Sequence, residues 1–214
     1  VQTVGLPVAR RFCVPFGDRE KLRRELGWPP GLPLVLVVGG GEGMGPMAAT
    51  ARAIAQGGEG RLGLVVVCGR NQRLRRRLEQ SEWKVPAFIY GFEHRIPEMM
   101  RATDLLVTKA GPGTITEALN AGLPMVLYSR LPGQEDGNVG YVQEEGVGVW
   151  APGPERAAAA ALSWLEDPAA LQRAAARCRE IARPQAARQL ASIVADFAER
   201  RTKVVRGVEV RSPS

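Results

Sequence analysis

LVLVVGGGEGMGP, from Leu34 to Pro46, runs five apolar residues directly into a turn that holds five glycines. Branched aliphatic residues dominate the run, the pattern of a strand covered on both faces rather than one with a solvated side. After Pro46 the apolar positions Ala48, Ala51 and Ile54 recur at helical spacing, so the segment reads as strand, glycine turn and helix start. Glycines allow positive φ and let a bulky anion approach the backbone. The free amides and dipole of a helix start favour negative charge by about 0.3 to 1 kcal/mol. A diphosphate suits such a turn. Taken alone, the turn reads more readily as one that packs a helix on a strand, and it matches neither the Walker lysine pattern nor the usual dinucleotide fingerprint.

Outward from this segment the same rhythm repeats. Short apolar runs at residues 64–68, 87–90, 105–108, 125–128 and 147–150 alternate with helical patterns over about residues 45–56, 72–79, 95–101, 112–121 and 139–144. The alternation predicts parallel βαβ units and an α/β, Rossmann-like, doubly wound parallel sheet. After Pro154 the composition shifts to Ala, Arg, Leu and Glu, with Leu162, Leu165, Leu171, Ile181, Leu190, Ile193, Val194 and Phe197 near helical spacing. Two or three extra C-terminal helices are expected there. Pro168 and Pro184 stand where such helices can begin. The predicted organisation is an entrance linker and first helix over residues 1–30, the Rossmann-like domain over 31–200 and a loose tail over 201–214.

The 214 residues, 45% hydrophobic and 24% charged, suit one globular domain. No run approaches the roughly eighteen apolar residues that cross a bilayer, and the first residues lack the order of a signal peptide. Any membrane contact is therefore expected to be peripheral. Cys13, Cys68 and Cys178 stand far apart and one histidine cannot complete a zinc site with them, so they read as buried thiols. A net charge of +7 attracts anions, whether phosphates, acidic lipid or nucleic acid. The densest cluster, Arg70, Arg73, Arg75, Arg76 and Arg77, lies on a predicted helix and reads as a solvated face. It lacks the interleaved aromatics of a nucleic-acid platform, so no nucleic-acid partner is expected.

A second turn, Lys109 to Thr114, follows the apolar run at 105–108 and opens another helix. In an open α/β sheet, ligands bind at the carboxyl ends of strands, particularly where the strand order reverses. Gly111, Pro112, Gly113 and Thr114 then offer an uncrowded helix start with a hydroxyl and amides for phosphate. Glu117 lies about one turn further on. A carboxylate accepts hydrogen bonds from two vicinal hydroxyls, as a ribose presents them. A Glu near a helix start is also favoured by the helix dipole alone. The segment Leu131 to Asn138 crowds polar groups into a third loop. Gln134, Glu135 and Asn138 have the donors and acceptors to read a hexose, and the segment also suits a solvent loop with an Asn helix cap.

Together, GGGEGMGP at 39–46, CGRN at 68–71, GF at 91–92, TKAGPGTITEAL at 108–119 and PGQEDGN at 132–138 resemble plant-type monogalactosyldiacylglycerol synthases, from about Gly5 to Trp164. The wider superfamily includes the bacterial peptidoglycan enzyme that transfers N-acetylglucosamine to a lipid carrier. The resemblance implies the C-terminal, donor-holding half of a GT-B glycosyltransferase that moves galactose from UDP-galactose to diacylglycerol with inversion, on chloroplast envelope or other plastid membranes. It implies neither metal nor cofactor. Gly40, Gly41, Glu42 and Gly43 with the 111–114 turn would cradle the diphosphate, and Phe92 would border uracil. Glu117 would take the ribose hydroxyls, and Gln134 with Glu135 the galactose. Asn138 belongs to the same loop. A related UDP-N-acetylglucosamine or UDP-glucose transferase, or a non-catalytic nucleotide-binding module, shares much of this pattern.

Two departures stand out. Family members carry GLPIR near the domain entrance, where this chain reads GLPVAR, which displaces Arg10, the candidate diphosphate ligand, by one residue. The family's N-terminal acceptor domain, with its catalytic histidine, would precede Val1 and is absent from this chain. His94 does not replace that histidine and reads as a surface or helix-start residue, so no catalytic base is assigned here. The expected partners are the UDP-sugar, the diacylglycerol acceptor, an anionic lipid surface and that acceptor domain.

Overall fold

The computed structural model describes residues 2–14, 17–40 and 45–206. Its centre is a six-stranded, wholly parallel sheet in the order β3-β2-β1-β4-β5-β6. The strands are β1 (Leu34–Val38), β2 (Gly63–Val67), β3 (Ala87–Tyr90), β4 (Leu105–Lys109), β5 (Met125–Ser129) and β6 (Gly148–Trp150). Helices α1 (Arg10–Cys13) and α2 (Arg19–Leu26) precede the sheet. Crossovers are made by α3 (Met47–Gly57), α4 (Gln72–Glu79), α5 (Ile96–Ala102), α6 (Pro112–Ala121) and α7 (Asp136–Glu144). Then follow α8 (Pro154–Glu166), α9 (Pro168–Ile181) and α10 (Ala186–Arg206).

The uninterrupted apolar strands are explained by two cores, one on each face. Leu34, Leu36 and Val38 pack with Met99, Met100, Ile115, Leu119, Val139 and Cys178. Val35 and Val37, pointing the other way, pack with Met47, Ile54, Leu78, Ala157 and Ala161. Because strand side chains alternate between faces, a strand sandwiched by helices must be apolar at every position.

The winding reverses between β1 and β4. Strands β1 to β3 step outward in one direction, and the chain then returns to lay β4 on the free edge of β1, with Val38 opposite Thr108. That return opens a crevice at the carboxyl edge of the sheet.

Three details differ from the periodicity. Helix α7 begins at Asp136, three residues before the predicted start at 139, because its first turn is polar and carries no apolar signal. Helix α10 extends through Arg206, so residues 201–206 of the expected loose tail are helical, and 207–214 lie outside the described residues. The leading segment, expected as an entrance linker and first helix, holds two helices, α1 and α2, with Phe12, Leu22 and Trp28 buried in the first core. The other expectations hold more closely: Pro168 opens α9, with Asp167 accepting from the Ala170 amide at 2.9 Å. Cys68 and Cys178 are buried thiols, and burial pushes Cys68 up to about 11, whereas Cys13, also expected to be buried, is only half-buried at the end of the short helix α1.

At the opposite, amino edge of the sheet, buried Arg23 anchors α2. It donates to Asp104 at 2.7 Å and to the carbonyls of Ala102 and Leu32 at 2.8 and 3.1 Å. Asp104 Oδ2 also accepts from the Leu34 amide at 2.7 Å, tying α2 to the starts of both β1 and β4. Removing one partner of such a pair leaves the other charge buried and costs about 3 to 5 kcal/mol. Asp104→Ala is expected to lower stability in urea denaturation by about 3 kcal/mol; a loss below about 1 kcal/mol would contradict the anchoring role.

Candidate functional site

Three loops leave adjacent strands at the carboxyl edge, with described residues 39–40 and 45–46 after β1, 110–111 after β4 and 130–135 after β5. Strand pairing forces them together. Gly40, at φ +74°, faces the second loop, where a Cβ would lie 3.5 Å from Lys109 Cε. Gly45, at φ +83°, faces β5, where a Cβ would come 3.2 Å from the Tyr128 ring and 3.3 Å from Ser129 Oγ. A side chain at either position is strained by the backbone, and at Gly45 also by the close approach. Gly41, Glu42 and Gly43 lie outside the described residues.

The second loop ends in an open helix start. Gly111 is the N-cap of α6 in extended conformation, no side chain caps this end, and Pro112 occupies the first turn. Gly113 is exposed, with no atom within 4 Å of a Cβ built on it, and Thr114 is half-buried. The first-turn amides, those of Gly113 and Thr114 among them, have no intrahelical acceptor and carry the positive end of the helix dipole.

Glu117 is half-buried on α6, one turn from the open end. Burial pushes its carboxyl up to about 7, and the guanidinium of Arg11, on α1, opposes the shift. Arg11 also donates to the His94 carbonyl at 3.3 Å, which brings α1 against the loop after β3. Phe92 in that loop is 51% exposed. It is flanked edge-on by His94 at 5.1 Å between centroids and by the Arg70 guanidinium at 5.1 Å. An exposed ring with a cation beside it is a platform on which a planar heterocycle can lie.

In the third loop Gln134 is exposed, whereas Glu135 is only 3% exposed. Its Oε1 accepts from Lys109 Nζ at 2.6 Å and its Oε2 from the Leu131 amide at 2.9 Å. Asn138 sits inside the first turn of α7, whose N-cap is Glu135, so it is not the helix cap that its residue type suggested. Its Nδ2 donates to the Ala110 carbonyl at 2.8 Å, which binds α7 to the turn before α6.

Arg10 is exposed at the start of α1, and it is the neighbouring Arg11 that acts on Glu117. Sequence reading passed over Arg11 and Lys109. Lys109 adjoins the GPGT turn, a signal that was available, but its partner stands 26 residues further on and only folding reveals it. His94 is exposed just before α5, as its sequence context suggested. Among the described residues, Arg73, Arg76 and Arg77 on α4 are exposed and Arg75 pairs with Glu79 at 2.7 Å, a solvated face.

A doubly wound parallel sheet with an uncapped helix start at its reversal point defines the Rossmann-like class of domain. Residues 34–149 match the glycosyltransferase family 28 C-terminal domain, and the chain belongs to that family. Over 171 residues it is 47% identical to the probable monogalactosyldiacylglycerol synthase 2, chloroplastic, of Oryza sativa subsp. japonica, covering 77% of this chain and 36% of that protein. With monogalactosyldiacylglycerol synthase 1, chloroplastic, of Arabidopsis thaliana it is 43% identical over 171 residues, covering 77% of this chain and 32% of that protein. The chain thus spans about a third of the length of these relatives. Among solved structures it resembles WaaG, a glycosyltransferase involved in lipopolysaccharide biosynthesis, with TM-score 0.66 and 19% identity, covering 88% of this chain and 54% of that one. It also resembles Anabaena Alr3699/HepE, solved in complex with UDP, with TM-score 0.64 and 20% identity, covering 87% of this chain and 54% of that one. The fold is that of one half of a GT-B glycosyltransferase.

The raised carboxyl of Glu117 has a defined consequence for stability. The folded chain holds this proton more tightly than the unfolded chain does. The contribution is therefore fully present below the ordinary value of 4.5 and is lost as pH rises through about 7. Over that window the slope is at most about 1.4 kcal/mol per pH unit. Urea titrations at several pH values are expected to show wild-type stability falling relative to Glu117→Gln between pH 4.5 and 7; parallel profiles would contradict the burial of this carboxyl.

Proposed function

We propose that this chain holds UDP-galactose for an inverting galactosyltransferase that converts diacylglycerol to monogalactosyldiacylglycerol, with the acceptor site and the general base supplied by the remainder of a longer protein. The observation that carries the reading is the meeting of two glycine turns at the sheet reversal, with Glu117 one turn inside α6. In this reading the diphosphate rests on the amides of Gly40 to Gly43 and of Gly111 to Thr114, and Pro112 presets the helix start that presents them. Glu117 accepts from the two ribose hydroxyls, uracil lies against Phe92, and Gln134 contacts the galactose.

The chemistry follows from electrostatics. As the sugar–phosphate bond breaks, charge grows on the departing UDP, and fixed amide dipoles in a water-poor crevice stabilise that charge without having to reorganise. No metal is required for this step. The names of the relatives support galactolipid synthesis and a plastid location. Among the described residues no helix is long and apolar enough to cross a membrane. Attachment through the basic surface to anionic lipid is the corresponding reading of membrane contact, and it weakens as salt screens it.

Calorimetric titration with UDP tests the reading. Wild type is expected to bind, and Glu117→Ala to bind about ten- to hundredfold more weakly, the worth of charge-assisted hydrogen bonds. With 2′-deoxy-UDP the gap between the two proteins should narrow. Absence of binding, or an unchanged affinity in Glu117→Ala, removes the proposal. In competition, UDP-galactose should displace UDP more effectively than UDP-glucose or UDP-N-acetylglucosamine; the reverse order would assign the chain to a related lipid glycosyltransferase. A nucleotide-binding module without catalytic use predicts no galactolipid when the chain is joined to a relative's acceptor domain, whereas the proposed function predicts product.

A further inference from the structure

We infer that Lys109 is a ligand of the donor diphosphate and that buried Glu135 is its positioning residue rather than a contact to the sugar. This rests on the donor reading above; Lys109 gains a role that the sequence did not suggest, and Glu135 takes one other than the sugar contact that the resemblance implied.

The placement of Lys109 comes from the backbone. The β4–β5 register shifts between Thr108 and Lys109, so that Lys109 stands opposite Ser129, and the next amide, Ala110, bonds to the Ser129 carbonyl at 2.8 Å. Such an irregularity at a strand end re-aims the side chain that follows it. The lysine stem then runs between the two glycine turns. A Cβ at Gly111 would come 3.1 Å from Nζ, and one at Gly40 would come 3.5 Å from Cε. These glycines leave room for an ammonium group between the two turns proposed to hold the diphosphate.

Glu135 is poorly placed to bind a sugar. Its side chain is 3% exposed, and both oxygens are taken, by Lys109 and by the Leu131 amide. A buried carboxylate is tolerated when it is paired, and here each oxygen already accepts one hydrogen bond while the 3% exposure leaves little room for a sugar hydroxyl to approach. The lysine side chain is 24% exposed, and an ammonium has three donors, so one hydrogen bond to Glu135 leaves donors for an anion. The same carboxylate fixes the loop start through Leu131. Phosphate contact at Lys109 is thereby linked to the loop that carries Gln134, three residues further on.

Calorimetry with UDP, UDP-galactose and uridine separates the roles, after thermal melts establish that each variant folds. Lys109→Met alone would strand a buried carboxylate, so the charge is removed in the double variant Lys109→Met/Glu135→Gln. The double variant should lose about ten- to hundredfold in UDP affinity, while uridine affinity changes by less than about threefold. Glu135→Gln alone should weaken UDP and UDP-galactose by the same factor, because the geometry it disturbs lies at the phosphate. Lys109→Arg, which keeps the charge, should retain most of the UDP affinity. If Glu135→Gln weakens UDP-galactose and spares UDP, Glu135 is a sugar ligand and the inference is overturned. It is also overturned if wild type binds UDP and the variants bind it equally well. Failure of wild type to bind UDP instead defeats the donor reading itself.

Discussion

The parallel pairing of β1 with β4 is the constraint on which the rest depends. Four residues of each strand lie in register, Val35 to Val38 against Leu105 to Thr108, and both strands are fully buried over that length. Because the pairing joins strands from the two windings of the chain, it brings together loops that are about 65 residues apart in sequence and share no local contact. A one-residue slip would exchange the two cores, sending Val35 and Val37 to the face that Leu34 and Leu36 now occupy. The helix packing on either side therefore holds the register, and the register holds the loops. At the far edge Asp104, bonded to the Leu34 amide and to Arg23, fastens the same two strands where they begin.

Much of this was legible because it is written in local periodicity. The run from Leu34 to Val38, the glycines after it and the proline at the start of α6 announce strand, turn and helix in consecutive residues. Strands buried on both faces leave an apolar signature that flanking turns delimit to within a residue or two. Polar helix starts leave none, which is why α7 begins earlier than the spacing suggested. Nor does composition distinguish the last turns of α10 from a loose tail, since Thr202, Lys203 and Arg206 suit either state.

The candidate site was legible in its backbone and less so in its charges. The GPGT turn and Glu117 could be marked from sequence because a helix start and a position one turn inside it are local facts. The pairing of Lys109 with Glu135, the approach of Arg11 to Glu117 and the use of the Asn138 amide on Ala110 are tertiary facts. Each joins residues more than 25 positions apart, and each changes the chemistry available: Glu135 has both oxygens engaged, Glu117 titrates near neutrality and Asn138 is committed to the scaffold. Residue type alone made all three carboxylate and amide groups look equally available to a ligand.

In the proposed complex, amides at two adjacent strand ends converge on one diphosphate. Backbone amide resonances of the chain, followed by nuclear magnetic resonance as UDP is added, address it directly. The largest shifts are expected to cluster at Gly40, Gly111, Gly113 and Thr114, with smaller changes toward Glu117. Shifts confined to the amino edge of the sheet, around Leu32 and Asp104, or movement of one turn without the other, would contradict it.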